Sequence, residues 1–316
     1  MVRKIYYIVV SFFLTRVLFL GGGYSYLLEI GKNNSILCGL LGMLLGYFIL
    51  YLFYKRGINK YVCIFISISV LLVNILSNTI LVNTYMLFNT PRIIIMSLFV
   101  FGILWASKKE FNLIFRFSLI SICLSIPILV MVYSGLFPIV NFINLKPYFD
   151  IDIINLIKGS IIFMVNSLLP NLLLLDYKDN LKFKDIGFGY VLGCLSIMYM
   201  LFLVIGIYGS EFASIIRFPE YLILKKFNIL NFLSNVENIL IMVWIFNLLI
   251  SGWICLKVLR DNLSNKLFYL IIIILFIGIE IFFNRNYVNV LFIRNYIYIV
   301  WGILIIWGLL FKKNKN

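Results

Sequence analysis

The sequence predicts an all-α polytopic membrane protein of about ten transmembrane helices, arranged as a five-plus-five inverted repeat with helices 1 and 6 broken. Three observations carry that expectation. Of the 316 residues, 63% are hydrophobic and only 12% are charged, whereas soluble domains carry about 25% charged residues. Apolar runs close to the roughly 20 residues of a spanning helix recur along the whole chain. The first and sixth of these runs contain helix-breaking residues at corresponding places, which points to an inverted repeat.

In chain order the runs cover 5–29, 35–55, 61–89, 91–107, 112–134, 153–175, 187–208, 235–257, 266–284 and 292–311. None alternates polar and apolar residues as a barrel strand does, so helices are the spanning elements. The first run is too long for a cleaved leader and has no small-residue cleavage site, so it is read as a retained helix. The reading is a single transmembrane domain over 1–316, with repeats over about 1–134 and 153–284 and a tenth helix at 292–311. Two connections exceed a simple turn. Residues 135–152 contain Pro138, Asn141, Asn144, Pro147, Asp150 and Asp152, and residues 209–234 contain Glu211, Arg217, Pro219, Glu220, Lys225 and Lys226. The second fits short amphipathic or re-entrant helices and fits a plain surface loop equally.

Charge sets the orientation. Alternate connections place seventeen Lys and Arg residues on the side that holds both termini and nine on the other. The positive-inside rule makes the first side cytoplasmic. The formal charge of +15 therefore does not indicate nucleic acid, because the basic residues are scattered in twos and threes with no basic stripe. The chain has no histidine, which removes His-based acid–base chemistry and most zinc sites. Cys38, Cys63, Cys123, Cys194 and Cys255 are isolated within apolar runs and read as small hydrophobes. No cofactor or metal is expected.

Polar and backbone-exposing residues inside lipid mark the candidate site. Arg16 lies roughly 16 Å into the first span, near the midplane of a ~30 Å core. Gly21, Gly22 and Gly23 follow, each about 1 kcal/mol worse than Ala in a helix. An unwound stretch there would expose backbone groups able to hold a zwitterion or an ion; close helix packing explains the same glycines. Arg16 is read as structural or gating, snorkelling or pairing with a carbonyl. In span 6, Pro170 is expected to kink the helix near Asn166 and to free backbone groups, with Asn166 and Asn171 nearby. Ser67, Asn74 and Asn78 share one face of span 3, while Trp244, Asn247 and Ser251 share one face of span 8. Helix-to-helix hydrogen bonding is the favoured use of both stripes. Glu237 opens span 8, where a negative charge suits the helix dipole, and Glu280 is placed within reach of Arg285 or Arg294. No carboxylate is expected at the membrane centre, which argues against proton coupling through an acid.

Several local patterns carry a resemblance. A glycine-bearing first span (Leu20 to Gly23) precedes a second with Gly39, Gly42 and Gly46. Thr90-Pro91 opens the fourth span and Arg116 stands near the start of the fifth. Asn144, Leu145 and Pro147 precede the sixth, and Lys158-Gly159 follow. Phe218-Pro219 lie in the outer loop before span 8, which carries Glu237 and Trp244. In that order these features resemble the B-subunit family of spore germinant receptors, the spore permease branch of the amino acid–polyamine–organocation superfamily. A sixth-span Phe-x-Phe-Gly-Glu-like segment of that family is replaced here by Asn166 to Pro170, without its acid.

The resemblance implies a transporter-like B subunit, not an enzyme, that senses a small germinant such as an amino acid. It implies A-type and lipoprotein C-type partner subunits in the inner membrane of a spore. It places the ligand carboxylate at the N–H groups of Gly21 to Gly23 and the ammonium group toward span 6 near Asn166 and Pro170. Arg16, Phe218, Pro219, Glu237 and Trp244 are then structural or gating residues. A working amino-acid transporter of the same fold is the close alternative. A polytopic glycan-processing enzyme using Asp150, Asp152, Glu211 and Arg217 is a distant one.

Overall fold

The structure, a computed structural model, describes residues 2–146, 152–180, 182–226, 236–285 and 290–310, with side chains outside 2–3, 21, 111, 178–180, 236–242, 280–285 and 290–296. Pro147, Asp150 and the Glu237, Glu280, Arg285 and Arg294 side chains lie outside the described residues. Among the described residues there is no strand. The helices are α1 (Val2–Arg16), α2 (Tyr24–Gly31), α3 (Ser35–Arg56), α4 (Lys60–Tyr85), α5 (Arg92–Ser107), α6 (Phe111–Leu136) and α7 (Ile153–Leu172). They continue with α8 (Phe183–Tyr208), α9 (Ser210–Ile215), α10 (Pro219–Leu222), α11 (Val236–Asn262), α12 (Asn265–Arg285) and α13 (Val290–Leu310).

Six helical stretches among the described residues are long and apolar enough to cross a membrane. Their outward faces are greasy: Leu44, Phe48, Leu98, Phe101, Ile273 and Ile303 are exposed. A row of such residues would be an aggregation hazard in water and is an ordinary surface in lipid. The chain is an integral membrane protein by that composition and geometry.

The centre is built from close backbone contacts. α3 packs on α7, and α1 packs on α8. A methyl group added at Gly42 would come within 2.6 Å of the Ser160 carbonyl, and one at Gly193 within 2.6 Å of the Thr15 side chain. Gly46 lies against Tyr190, and Gly189 against the Ile8 carbonyl. Small residues are thus used to bring backbones together, which is how dispersion forces hold helices in a solvent as apolar as their side chains. Around this centre α4 packs on α11; α5 and α12 each pack on both of them; α6 packs on α1 and α11; and α13 packs on α7 and α4.

The element boundaries differ from the expected ones where polar chemistry decides. Asp152 accepts hydrogen bonds from the Ile154 and Asn155 N–H groups and starts α7. The eighth helix begins four residues before the expected 187, at Phe183, because Lys182, Lys184 and Asp185 mark its polar end without ending it. The segment 209–226 is a cap of two short helices, α9 and α10, followed by a 3₁₀ turn over Ile223–Lys226. Residues 137–145 carry two 3₁₀ turns.

The two expected breaks come out differently. The first span is interrupted: α1 ends at Arg16, the chain is π-wound from Phe19 to Gly23, and α2 starts at Tyr24. The sixth is not broken at mid-depth. α7 runs without interruption through Asn166 to Leu172 and then tightens into a 3₁₀ stretch, Leu173–Asn180. Pro170 sits in the last turn of α7, where its missing N–H and its ring end the α-helix rather than bend its middle. The Ser167 carbonyl is taken by the Asn171 side chain at 2.8 Å.

Candidate ligand site

The site begins at the π-wound turn. Gly22 has φ +113°, a conformation that only glycine adopts without strain. Beyond its own turn, no atom lies within 4 Å of where a Gly22 side chain would start, so the turn borders open space. Gly23, in contrast, is wedged: a methyl there would lie 2.6 Å from the Leu18 carbonyl and 3.3 Å from Asn166 Nδ2. The first-span turn and Asn166 of α7 are therefore neighbours. Gly21 belongs to the same π-wound segment. The Ser25 hydroxyl donates to the Gly22 carbonyl at 2.9 Å and holds the turn.

Asn166 is fully buried. Its Nδ2 donates to the Tyr298 hydroxyl of α13 at 2.8 Å, while its Oδ1 has no partner. Tyr298 stacks on Tyr26 of α2 with ring centres 5.0 Å apart and meets Trp301 edge-on at 5.3 Å. An unpaired buried amide oxygen costs about 1–3 kcal/mol, and Asn166 Oδ1 is such an acceptor. Tyr298 is a contributor that sequence reasoning missed, and nothing in the apolar pattern of the last span distinguishes it.

One turn deeper the polar groups are satisfied. The Ser11 hydroxyl donates to Asn171 Oδ1 at 2.7 Å, Asn171 Nδ2 donates to Thr15 Oγ1 at 2.9 Å, and Ser167 shares a 2.9 Å bond with the Tyr190 hydroxyl. This network joins α1, α7 and α8, and Asn171 is a fastener there. The stripes of spans 3 and 8 also meet each other. Asn74 Nδ2 donates to Ser251 Oγ at 2.6 Å, and Asn78 Nδ2 to the Asn74 side chain at 2.8 Å. Single Asn74→Ala and Ser251→Ala changes are expected to couple by about 1 kcal/mol in a double-mutant cycle of unfolding in mixed micelles; strictly additive losses would rule out this bond as a seam between α4 and α11.

Two charges complete the picture. Arg16 makes no hydrogen bond through its Nε or Nη1. It is 4% exposed, its guanidinium lies 5.2 Å over the Phe12 ring, and those two nitrogens have no hydrogen-bond partner. Glu220, in the cap, is completely buried and neither carboxylate oxygen has a partner. Burial pushes its pKa up to about 8. Around Glu220 the cap is aromatic. Tyr85 packs 6.0 Å from Phe218 and 4.3 Å from Tyr221, which in turn lies 6.1 Å from Trp244. Pro219 fixes the first turn of α10. Glu220 also escaped the sequence reading. The only available signal was an acid placed directly after Phe218-Pro219 and before an apolar Tyr-Leu-Ile-Leu run.

The cap that carries Phe218 and Pro219, the span that carries Trp244 and the Asn74–Ser251 seam all fall within one homologous stretch. The profile of the spore permease family, described as spore germination protein, matches residues 57–287. The chain belongs to the spore permease family. This membership is the one its local motifs resemble, and the family is one of receptor- and transporter-like proteins rather than enzymes. The matched stretch contains Asn166, Pro170, Phe218, Pro219, Glu220 and Trp244 of this spore permease, and its first-span turn lies ahead of it. No curated protein and no solved structure gives a significant match.

Proposed function

We propose that this spore germination protein is the transporter-like B subunit of a germinant receptor, with ten spans, both termini cytoplasmic and the inner membrane of the spore as its location. It senses a small germinant, an amino acid in the simplest case, at the turn formed by Gly21, Gly22 and Gly23, opposite Asn166. The observation that carries this reading is the open space beside the Gly22 turn, next to the unpaired Oδ1 of Asn166. Backbone N–H groups at such a turn suit a carboxylate, and an amide oxygen suits an ammonium group.

The helix contacts support the inverted repeat. Exchanging each span with the one five places away converts the α1–α8 contact into α7–α3, α5–α11 into α12–α4, α6–α1 into α13–α7 and α4–α5 into α11–α12. All of these contacts occur. A fold with that exchange symmetry can rock one half against the other, and a ligand shifts such an equilibrium only by its difference in affinity for the two states.

Affinity purification from the native membrane in mild detergent tests the assembly. Stoichiometric recovery of a second polytopic protein and a lipoprotein is expected; recovery of this chain alone, with concentrative amino-acid uptake in proteoliposomes, would replace the receptor by a transporter of the same fold. Asn166→Ala should lower germinant sensitivity by roughly tenfold or more through loss of a charge-assisted bond, and an unchanged dose–response would remove Asn166 from the site.

A further inference from the structure

Away from the first-span turn, a crevice runs between α4, α5, α11 and α12. It holds about 310 Å³, its open mouth included, and every side chain that lines it is Leu, Ile, Val or Phe. On α12 the lining residues are Ile272, Leu275, Phe276 and Ile279, one continuous face of the helix. That face runs roughly 10 Å at 1.5 Å per residue, so the crevice is a slot drawn out along α12. Leu71 and Ile75 of α4 and Leu256 of α11 are buried and form its floor. Val100 and Leu104 on α5, and Ile272 and Phe276 on α12, are only half-buried. The slot therefore opens between α5 and α12, beside the exposed Phe101 and Ile273 of the lipid-facing surface.

The chemistry of the slot decides what enters it. A polar molecule would give up its hydrogen bonds to water and find none in return. A chain of methylenes loses nothing there, and it supplies the dispersion contacts that a gap withholds from its walls. One end of the slot is basic. Leu104 stands one helical turn before Lys108 on α5, and Leu256 one turn before Arg260 on α11, so each leads along its own face to a cation. Arg260 Nη1 donates to the Ser107 carbonyl at 3.5 Å and brings the last turns of α5 and α11 together. Lys109 lies 5.3 Å over the ring of the exposed Trp105, a pairing suited to headgroup level, and Lys266 is exposed in the first turn of α12. Two acids are near. Asp261 is taken by Lys257 at 3.4 Å and by the Tyr177 hydroxyl at 2.9 Å, and Glu110 is exposed just before α6. Among the described residues Lys108, Arg260 and Lys266 enter no ion pair.

We propose that the crevice between α4, α5, α11 and α12 binds one membrane phospholipid with an anionic headgroup, an acyl chain lying in the slot and the phosphate at Arg260 and Lys108. The guanidinium of Arg260 is a planar fork suited to phosphate oxygens, and basic pockets between membrane helices are sites where anionic headgroups bind. The positive-inside rule accounts for the sign of these charges. It does not account for their meeting at the end of an all-hydrocarbon slot. In that position the lipid is a strut. It ties α12 to α5, two helices that each lean on α4 and α11.

The test uses the full chain, stripped of lipid by prolonged detergent washing. It is titrated with dioleoylphosphatidylglycerol or dioleoylphosphatidylcholine in native mass spectrometry, and thermal unfolding is followed in the same mixed micelles. Wild type is expected to retain one phosphatidylglycerol about tenfold more tightly than phosphatidylcholine, with Tm rising as that site fills. The double variant Lys108→Gln/Arg260→Gln should bring the two lipids level. Lys182→Gln/Lys184→Gln, an equal loss of charge at exposed positions around the start of α8, should keep the preference. Leu104→Trp fills the slot from a half-buried wall and should weaken retention of both lipids; should that variant not fold, the charge variants still decide. Equal retention of the two lipids by wild type, or the same loss of preference in both charge variants, overturns the site. Inorganic phosphate raising Tm as far as the lipid does would reduce it to a plain anion site and overturn the role of the slot.

Discussion

Gly22→Val is expected to abolish the germinant response, by about a hundredfold or more, while the protein still inserts and folds. The reason is conformational rather than steric. A valine side chain has room, since no atom beyond the turn itself lies within 4 Å of its starting position, but φ +113° is forbidden to a β-branched residue. Relaxing that angle costs about 1–3 kcal/mol and moves the backbone groups that face the open space. The loss should therefore fall on binding, read as dose–response in spores and as ligand-induced thermal shift of the purified protein. Gly23→Ala makes the contrast. Its methyl would press to 2.6 Å from the Leu18 carbonyl, a backbone atom, so it should reduce folded yield as well as response. An unchanged response in Gly22→Val, with normal yield, would remove the first-span turn from the site.

The second large effect concerns pH. Glu220 titrates at about 8 in the folded cap against an ordinary value of 4.5. Below 4.5 both folded and unfolded cap hold the proton and stability is at its maximum. Between the two values folding takes up a proton, so each rise in pH disfavours the folded cap, and above about 8 the full penalty applies. The span corresponds to a loss on the order of 5 kcal/mol, at about 1.4 kcal/mol per pH unit. Hydrogen exchange over residues 210–226, corrected for intrinsic rates, should show protection falling between about pH 5 and pH 9 in wild type. The slope should flatten in Glu220→Gln. Identical profiles in the two proteins would mean that Glu220 is not buried as an acid.

The apolar helices were legible because a membrane imposes one rule, apolar length, that acts locally; α3, α4 and α5 start within a residue of their expected positions. The Gly21–Gly23 turn was legible for the same kind of reason, since three glycines weaken a helix wherever they stand. Pro170 misled because its effect depends on how far it lies from the helix end: two residues from the end of α7 it terminates, whereas ten residues in it would kink. The partnership of the Asn74 and Ser251 stripes could be guessed from faces. The meeting of Asn166 with Tyr298, 132 positions apart, could not. Glu220 was hidden for a related reason. A carboxylate in an outer loop is exposed by default, and only the packing of α10 among α2, α4 and α8 makes it dry.

The glycine-tight contacts have a mechanical consequence. α1 is clamped to α8 at Gly189 and Gly193 and bolted to α7 through Ser11, Thr15 and Asn171. α2 is joined to it by the π-wound turn and leans on the cap through α9. The first span is thus a fixed post with a hinged arm. Force applied at the hinge is delivered to the arm and cap, because the post is too stiff to share it. A carrier must eventually let go on the far side of the post, whereas a detector has only to tip the arm.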